Sequence, residues 1–108
     1  MSDQVVRLDL EHVDDANEAM RVDVVLSGGR VKPGSEYFGM WYDKANELRN
    51  PFVLCDDGQI DYGDDHEDDD QYYGTDILDK TIAVGETITC WYEDEEFDYK
   101  IVKLTPLP

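Results

Sequence analysis

The chain has 108 residues, and its 27 acidic side chains against 9 basic ones give a net charge of −18. This length suits a single domain, predicted over residues 1–108, with one hydrophobic core. The charge repels phosphate groups, which argues against direct binding to nucleic acid or to an anionic membrane and favours basic partners.

Two half-buried strands are predicted near the N-terminus. Over residues 5–13, Val6, Leu8 and Leu10 alternate with charged residues, and the side chains of a strand point alternately to its two faces. Residues 20–26 repeat this alternation after a break at residues 14–18, which we interpret as a loop or a single helical turn. Glycine and proline then predict turns before the next element.

The middle of the chain allows two interpretations. The aromatic-rich stretch at residues 37–42 favours a strand, whereas the apolar spacing over 35–50 also fits a helix with Ser35 as its N-cap. We expect a strand over residues 37–42, then one or two helical turns over 44–49 that end at Asn50-Pro51. Residues 52–55 are predicted to form a short buried strand.

The C-terminal stretch over residues 81–104 predicts a hairpin. Its two apolar faces match when Tyr92 pairs with Phe97 around a four-residue connection. This register places the following residues opposite each other: Cys90 and Tyr99, Ile88 and Ile101, Trp91 and Asp98, Glu86 and Lys103. Residues 105–108 are predicted to fray.

These elements define a mainly β fold, either all-β or β-rich α+β. We expect a small antiparallel barrel or a two-layer sandwich with at most one or two short helices and a C-terminal hairpin. Cys55 and Cys90 lie in apolar strands, so we interpret both as buried and reduced, with a disulfide between them as the alternative. No apolar run reaches the length of a signal peptide or membrane span, so we expect a cytoplasmic protein.

Residues 56–70 differ from the rest of the chain in composition. Nine of these fifteen residues are acidic, two are glycine and none is lysine or arginine. This charge density predicts an exposed, mobile acidic loop.

The sequence contains no recognisable catalytic or metal-binding motif. A nucleophile elbow, a phosphate loop and a dinucleotide fingerprint are all missing, so we expect no enzyme and no cofactor. The glycine spacing does not fit a helix-loop-helix calcium loop, which leaves a looser Ca²⁺ or Mg²⁺ site as an alternative. Its ligands would be Asp61, Asp64, Asp65 and Asp68. His12, His66 and the two cysteines lack the short spacing of zinc ligands.

The concentration of charge predicts a binding surface instead. Salt adaptation would spread acidic residues evenly, whereas a cluster fits the basic cleft of a nuclease or another nucleic-acid enzyme. We therefore expect a non-enzymatic inhibitor of a basic toxin or nucleic-acid enzyme, similar in character to an immunity protein or a DNA mimic. The predicted partner-binding residues are acidic side chains and aromatic anchors: Asp61, Asp64, Asp65, Glu67, Asp68, Asp69, Asp70, Tyr72, Tyr73 and Trp91.

Two other classes of function stay open at this point. One is a structural or adaptor subunit of a larger assembly, in which the acidic loop acts as a spacer. The other is an acidic module that binds divalent cations. Aspartates outnumber glutamates 18 to 9, so salt adaptation also stays open as the origin of the charge.

Overall fold

A computed structural model describes residues 3–62, 73–92 and 95–107 of the chain. Within these residues the backbone forms nine β-strands and one short 3-10 helix, Ile77–Asp79. The strands are β1 Gln4–His12, β2 Asp15–Ser27, β3 Arg30–Val31, β4 Tyr37–Asp43, β5 Leu48–Leu54, β6 Ile60–Asp61, β7 Tyr73–Thr75, β8 Thr87–Tyr92 and β9 Glu95–Pro106. The predicted mainly β fold is confirmed.

The nine strands belong to one antiparallel sheet that curls into a nearly closed barrel. Its order is β6-β5-β4-β2-β1-β9-β8-β7, with β3 beside the end of β2. The two end strands meet through a bridge between Gln59 and Gly74 and a 2.9 Å hydrogen bond from the Thr75 amide to the Gly58 carbonyl. Of the two predicted architectures, the barrel is therefore the one that forms.

The barrel interior is filled by every second side chain of the long strands. Val6, Leu8 and Leu10 of β1 are at most 1% exposed, and β2 pairs with β1 along nearly its whole length. The inward faces predicted for both strands are confirmed. The break between them is shorter than predicted, since β2 already begins at Asp15.

One end of the barrel is closed by the chain that follows β7. Ile77 of the 3-10 helix and Ile82 are both buried there. The Ile82 amide donates to the Gly29 carbonyl at 2.8 Å, and the Arg30 guanidinium donates to the Asp79 carbonyl at 2.7 Å. We call this the closed end. The open end is the opposite one, where the turns β1–β2 and β4–β5 lie and where β8 ends and β9 begins.

Residues 44–49 do not form the predicted helical turns. The Asp43 carboxylate accepts a hydrogen bond from the Ala45 amide at 3.0 Å, and Glu47 adopts a left-handed φ of 56°. These local features reverse the chain, so β5 begins directly after the turn. Pro51 does not end the element as predicted. Among the described residues its part of β5 pairs only with β4, and strands tolerate proline along such an edge.

β8 and β9 form the predicted hairpin, but in a register that differs by two residues. Cys90 pairs with Phe97 and Ile88 pairs with Tyr99, so the connection spans two residues instead of four. A shift of two keeps every side chain on its own face. The predicted burial of Ile88, Cys90, Tyr99 and Ile101 is therefore confirmed.

The pairs predicted for the outer face and the strand ends are wrong for the same reason. Trp91 lies opposite Glu96 instead of Asp98, and Lys103 pairs with Asp9 of β1 instead of Glu86. The hydrophobic pattern alone does not distinguish two registers that bury the same face. Which register forms is decided by the length of the connection between β8 and β9 and by the pairing of β9 with β1.

The C-terminus does not fray as predicted. β9 continues to Pro106, which pairs with Val6 of β1, and the Leu107 amide donates to the Val5 carbonyl at 2.9 Å. The register between the two strands shifts once, between Asp9 and Leu10, which accommodates an extra residue in β9. Pairing with the central strand thus orders residues that look like a loose end in the sequence.

The two cysteines are free thiols, as predicted, and the alternative disulfide does not form. Cys90 is buried, but Cys55 is only half-buried, so its predicted burial is wrong. Burial raises the pKa of the Cys90 thiol to about 12 and also raises that of Cys55. Both thiols are therefore poor nucleophiles at neutral pH.

Within the described part of the chain, no helix has the length and the apolar character that crossing a membrane requires.

Candidate functional site

A cavity of about 270 Å³ opens into the barrel at its open end. Most of its wall is aromatic, so we call it the aromatic cavity. Its lining consists of Glu18, Met20, Trp41, Asn50, Ile60, Tyr62, Tyr73, Cys90, Trp91, Tyr92, Phe97 and Tyr99. The residues come from strands all around the barrel, so only the folded sheet brings them together.

The alternation of the strands explains why most of these residues face the interior. Trp91 is an exception, since it lies between Cys90 and Tyr92 on β8 and its indole covers Gly74 of β7. Glu18 lies two residues before the buried Met20 of β2, and Asn50 lies two residues before the buried Phe52 of β5. Inward positions deeper in the barrel carry aliphatic side chains, whereas those nearest the open end carry polar or aromatic ones. The aromatic side chains at the open end do not fill the interior completely, which leaves the cavity.

An aromatic chain runs along one side of the cavity and spans the seam between β6 and β7. Phe52 and Tyr62 have ring centroids 5.8 Å apart, and Tyr62 and Tyr73 meet edge to face at 4.8 Å. Tyr73 stacks on Tyr92 of β8 at 4.5 Å. Such pairs stabilise beyond the area that they bury. The rings therefore stabilise the contact between β6 and β7, where the described residues form few backbone hydrogen bonds.

A hydrogen bond between two aromatic side chains crosses the barrel in the cavity. The indole N–H of Trp41 on β4 donates to the Tyr99 hydroxyl of β9 at 3.2 Å. Burial raises the pKa of Tyr99 to about 12, although this bond opposes the shift. Burial also raises the pKa of Tyr62 well above its usual range. Both phenols therefore remain neutral at physiological pH and add no negative charge to the cavity.

The charged side chains around the open end are mostly acidic. The turns and strand ends there contain the following acidic residues: Asp14, Asp15, Glu18, Asp43, Glu47, Asp61, Glu95 and Glu96. The same segments contain two basic residues, Lys44 and Arg49, both exposed. Lys44 lies 3.9 Å from the Glu11 carboxylate and 5.9 Å from the Tyr42 ring centroid. The rim of the aromatic cavity is therefore negatively charged.

Several other basic side chains are paired along the barrel wall or at the closed end. Arg7 binds the Asp23 carboxylate at 2.8 Å, and its guanidinium lowers the pKa of that acid. Two further close pairs of this kind are Arg21 with Asp9 at 2.8 Å and Lys32 with Asp3 at 2.7 Å. These pairs neutralise the flanks locally, whereas the rim keeps most of its negative charge.

His12 lies beside the cavity at the end of β1. Its Nδ1 accepts a hydrogen bond from the Asp14 amide at 3.0 Å, and its Nε2 lies 3.9 Å from the Glu18 carboxylate. The imidazole and the Tyr99 ring also form a T-shaped contact, with 5.2 Å between ring centroids. The histidine thus holds the β1–β2 turn against the wall of the cavity.

Three of the predicted partner-binding residues are described, and all lie at the open end. Asp61 is exposed on β6, while Tyr73 and Trp91 are half-buried in the cavity wall. Trp91 covers Gly74, where an added Cβ would lie 2.5 Å from the indole nitrogen. The remaining ones lie outside the described residues: Asp64, Asp65, Glu67, Asp68, Asp69, Asp70 and Tyr72.

The described residues show no group of three or more His, Cys, Asp or Glu side chains placed to hold a metal ion. Of the four acids in the alternative Ca²⁺ or Mg²⁺ site, the structure describes Asp61 alone. Residues 63–70 of the predicted acidic loop, which include His66, lie outside the described residues. Residues 60–61 of that loop form β6, where Ile60 is buried.

Sequence reasoning missed most of the cavity. Trp41, Phe97 and Tyr99 read as ordinary core positions, because each continues the inward alternation of its strand. The available signal was Glu18 and Asn50, two polar residues at inward positions. A polar side chain on an apolar face marks a place where the interior meets solvent or a ligand.

Comparison with protein-family models, with curated protein sequences and with solved structures finds no match to this chain.

Proposed function

We propose that this protein is a non-enzymatic binding protein that neutralises a basic partner, such as a toxin or a nucleic-acid enzyme, through the open end of its barrel. The observation that supports this proposal most directly is the acidic rim around the aromatic cavity. Acidic and aromatic side chains lie next to each other at the open end. On the outer wall of the barrel, by contrast, Arg7 and Arg21 pair with acidic residues.

The acidic rim would accelerate association with a basic surface. Opposite charges steer encounter, and the effect weakens as salt shortens the Debye length from about 10 Å at 0.1 M to about 3 Å at 1 M. Rim charges act mainly on the association rate. A partner whose cleft binds phosphate presents the complementary positive charge.

The half-buried aromatic residues of the rim would hold the complex together. Trp and Tyr are enriched among the few residues that dominate binding energy, especially when polar residues surround them. Trp91 and Tyr73 match this description, since each is half-buried near Glu95, Glu96 or Asp61. We expect these two side chains to determine the dissociation rate.

The test is surface plasmon resonance with a purified partner, first captured from cell lysate and identified. The variant carries Glu95→Lys and Glu96→Lys at the open end, and the control carries Asp79→Lys and Glu86→Lys at the closed end. All four positions are exposed, and both proteins have the same net charge. The proposal predicts that the open-end variant associates at least tenfold more slowly at low salt and that the control changes little.

Trp91→Ala should mainly raise the dissociation rate, with Trp91→Phe intermediate. An activity assay of the partner must also show inhibition at a one-to-one ratio. Binding that is indifferent to salt and to the open-end charges contradicts the proposal and favours an adaptor subunit. Failure to retain any protein, together with saturable uptake of Ca²⁺ or Mg²⁺, would favour the cation-binding module.

A further inference from the structure

We infer that the aromatic cavity itself is a binding site for a small organic cation that carries an alkylated ammonium group. This inference goes beyond the proposed function, because such a ligand would bind the isolated protein with no protein partner present. The walls, the charge and the volume of the cavity each limit what it accepts.

The volume limits the ligand to a small group. The cavity volume of about 270 Å³ is well above what a single water molecule needs. An engineered cavity of about 150 Å³ in another protein binds benzene, and pockets for drug-sized ligands usually begin near 300 Å³. The aromatic cavity therefore has room for a single compact headgroup and a short tail.

The charge selects a cation over a neutral or anionic ligand. Glu18 lies in the wall, and among the described residues that line the cavity none is lysine, arginine or histidine. The rim adds further carboxylates, including Asp43 and Glu95. An anion would meet the Glu18 carboxylate inside and a mostly acidic rim, whereas a cation is attracted at the mouth and inside.

The aromatic wall selects an alkylated ammonium over a primary one. Aromatic rings attract cations electrostatically, and cages of such rings recognise quaternary ammonium groups. A primary ammonium is strongly hydrated, and on leaving water its three N–H donors must each find an acceptor among the Glu18 carboxylate, the Asn50 amide and the tyrosine hydroxyls. An alkylated ammonium has an apolar shell and a diffuse charge, so it loses less on leaving water.

The test is a titration of the isolated protein with choline, followed by the indole N–H resonances of Trp41 and Trp91 in NMR spectra. The neutral control is 3,3-dimethyl-1-butanol, which has the shape of choline with carbon in place of the charged nitrogen. The second control is ethanolamine, which keeps the charge without the methyl groups. We expect choline to shift both resonances saturably and to bind at least tenfold more tightly than either control.

Two cavity variants and one matched surface variant locate the site. Tyr73→Leu and Glu18→Gln should each weaken choline binding severalfold. Phe38→Leu, at a side chain 75% exposed on the outer face of β4, should leave it unchanged. The comparison of three ligands on the unaltered chain does not depend on whether the variants fold.

Three results would overturn the inference. Equal affinity for choline and 3,3-dimethyl-1-butanol would show an apolar cavity without preference for charge. Tighter binding of ethanolamine would show that carboxylates alone recognise the ligand, and no saturable shift with any probe would show that the cavity binds none of them. None of these results bears on the partner-binding experiment, because the titration contains no partner and that experiment changes Glu95 and Glu96.

Discussion

At the scale of single residues, neighbouring side chains of one strand have opposite environments. Ile101 is 0% exposed in the barrel core, while Val102, the next residue of β9, is 40% exposed. The two side chains differ by only one methylene group, so their position in the sheet largely decides how much each contributes to stability. Substitutions at these two positions therefore measure how much burial contributes to stability.

We expect Ile101→Ala to lower the free energy of unfolding by about 2–5 kcal/mol, since it removes buried methyl groups and leaves a cavity. Val102→Ala should change it by about 0.5 kcal/mol or less, as is usual at exposed sites. Urea unfolding of both variants measures the difference. Similar losses in both would mean that Ile101 does not lie in the core.

The buried thiol of Cys90 makes stability depend on pH in the alkaline range. Its pKa is about 12 in the folded protein, against 9.0 for an unperturbed thiol. Above pH 9 the unfolded chain loses this proton while the folded chain retains it, so the free energy of unfolding falls as pH rises from 9 towards 12. Tyr99 acts in the same direction between pH 10 and 12.

Cys90→Val should therefore make the loss of stability between pH 9 and pH 12 less steep. The control is Cys55→Val. The Cys55 thiol is only half-buried, so its removal should change the pH dependence of stability less. Thermal unfolding at intervals of half a pH unit provides the curves. Parallel curves for the unaltered chain and the Cys90 variant would show that this thiol is not protected in the fold.

At the scale of elements, the C-terminal hairpin shows how a correct pattern still permits a wrong register. Both registers bury Ile88 and Tyr99, but only the observed one places Thr89 opposite Asp98. In that register the Thr89 hydroxyl donates to the Asp98 carboxylate at 2.8 Å. The alternative register would pair Thr89 with Lys100.

A double-mutant cycle separates the two registers. Thr89→Ala and Asp98→Ala should show a coupling of about 0.2–1 kcal/mol, the usual range for a cross-strand pair. The cycle of Thr89→Ala with Lys100→Ala should give a value close to zero. A larger coupling to Lys100 than to Asp98 would indicate the register that sequence reasoning predicted.

At the scale of the whole molecule, the net charge of −18 acts against the compact fold. Like charges repel more strongly when the chain is folded, and salt screens that repulsion. A third of the acidic residues lie in residues 56–70, so repulsion should be greatest in that segment. Charge and stability are therefore in opposition in this protein.

We expect the melting temperature to rise by a few degrees as NaCl increases from about 10 mM to about 0.5 M. Replacing Asp64, Asp65, Asp68 and Asp69 with Asn should preserve the fold, raise stability at low salt and reduce the salt dependence. Differential scanning calorimetry with and without a chelator measures both effects. A large loss of stability in the variant would instead reveal a bound metal or a paired base at those residues.

The sequence by itself determined the two N-terminal strands, the C-terminal hairpin, their inward faces and the concentration of charge. Period-2 alternation is local, so Leu8, Met20 and Ile101 could be assigned to the core from a few neighbours. The acidic composition is likewise a property of the chain. The mainly β fold followed from these features, since one-sided strands must bury that side against each other.

Only the tertiary structure decided the register of β9, the extent of β5 and the existence of the aromatic cavity. Each depends on contacts between segments far apart in the chain, such as Val6 with Pro106 or Trp41 with Tyr99. Local propensity favoured helical turns at residues 44–49, but pairing with β4 and the Asp43 turn outweighed it. The cavity arises because a nearly closed barrel brings the aromatic ends of several strands around one space, and no single strand contains that information.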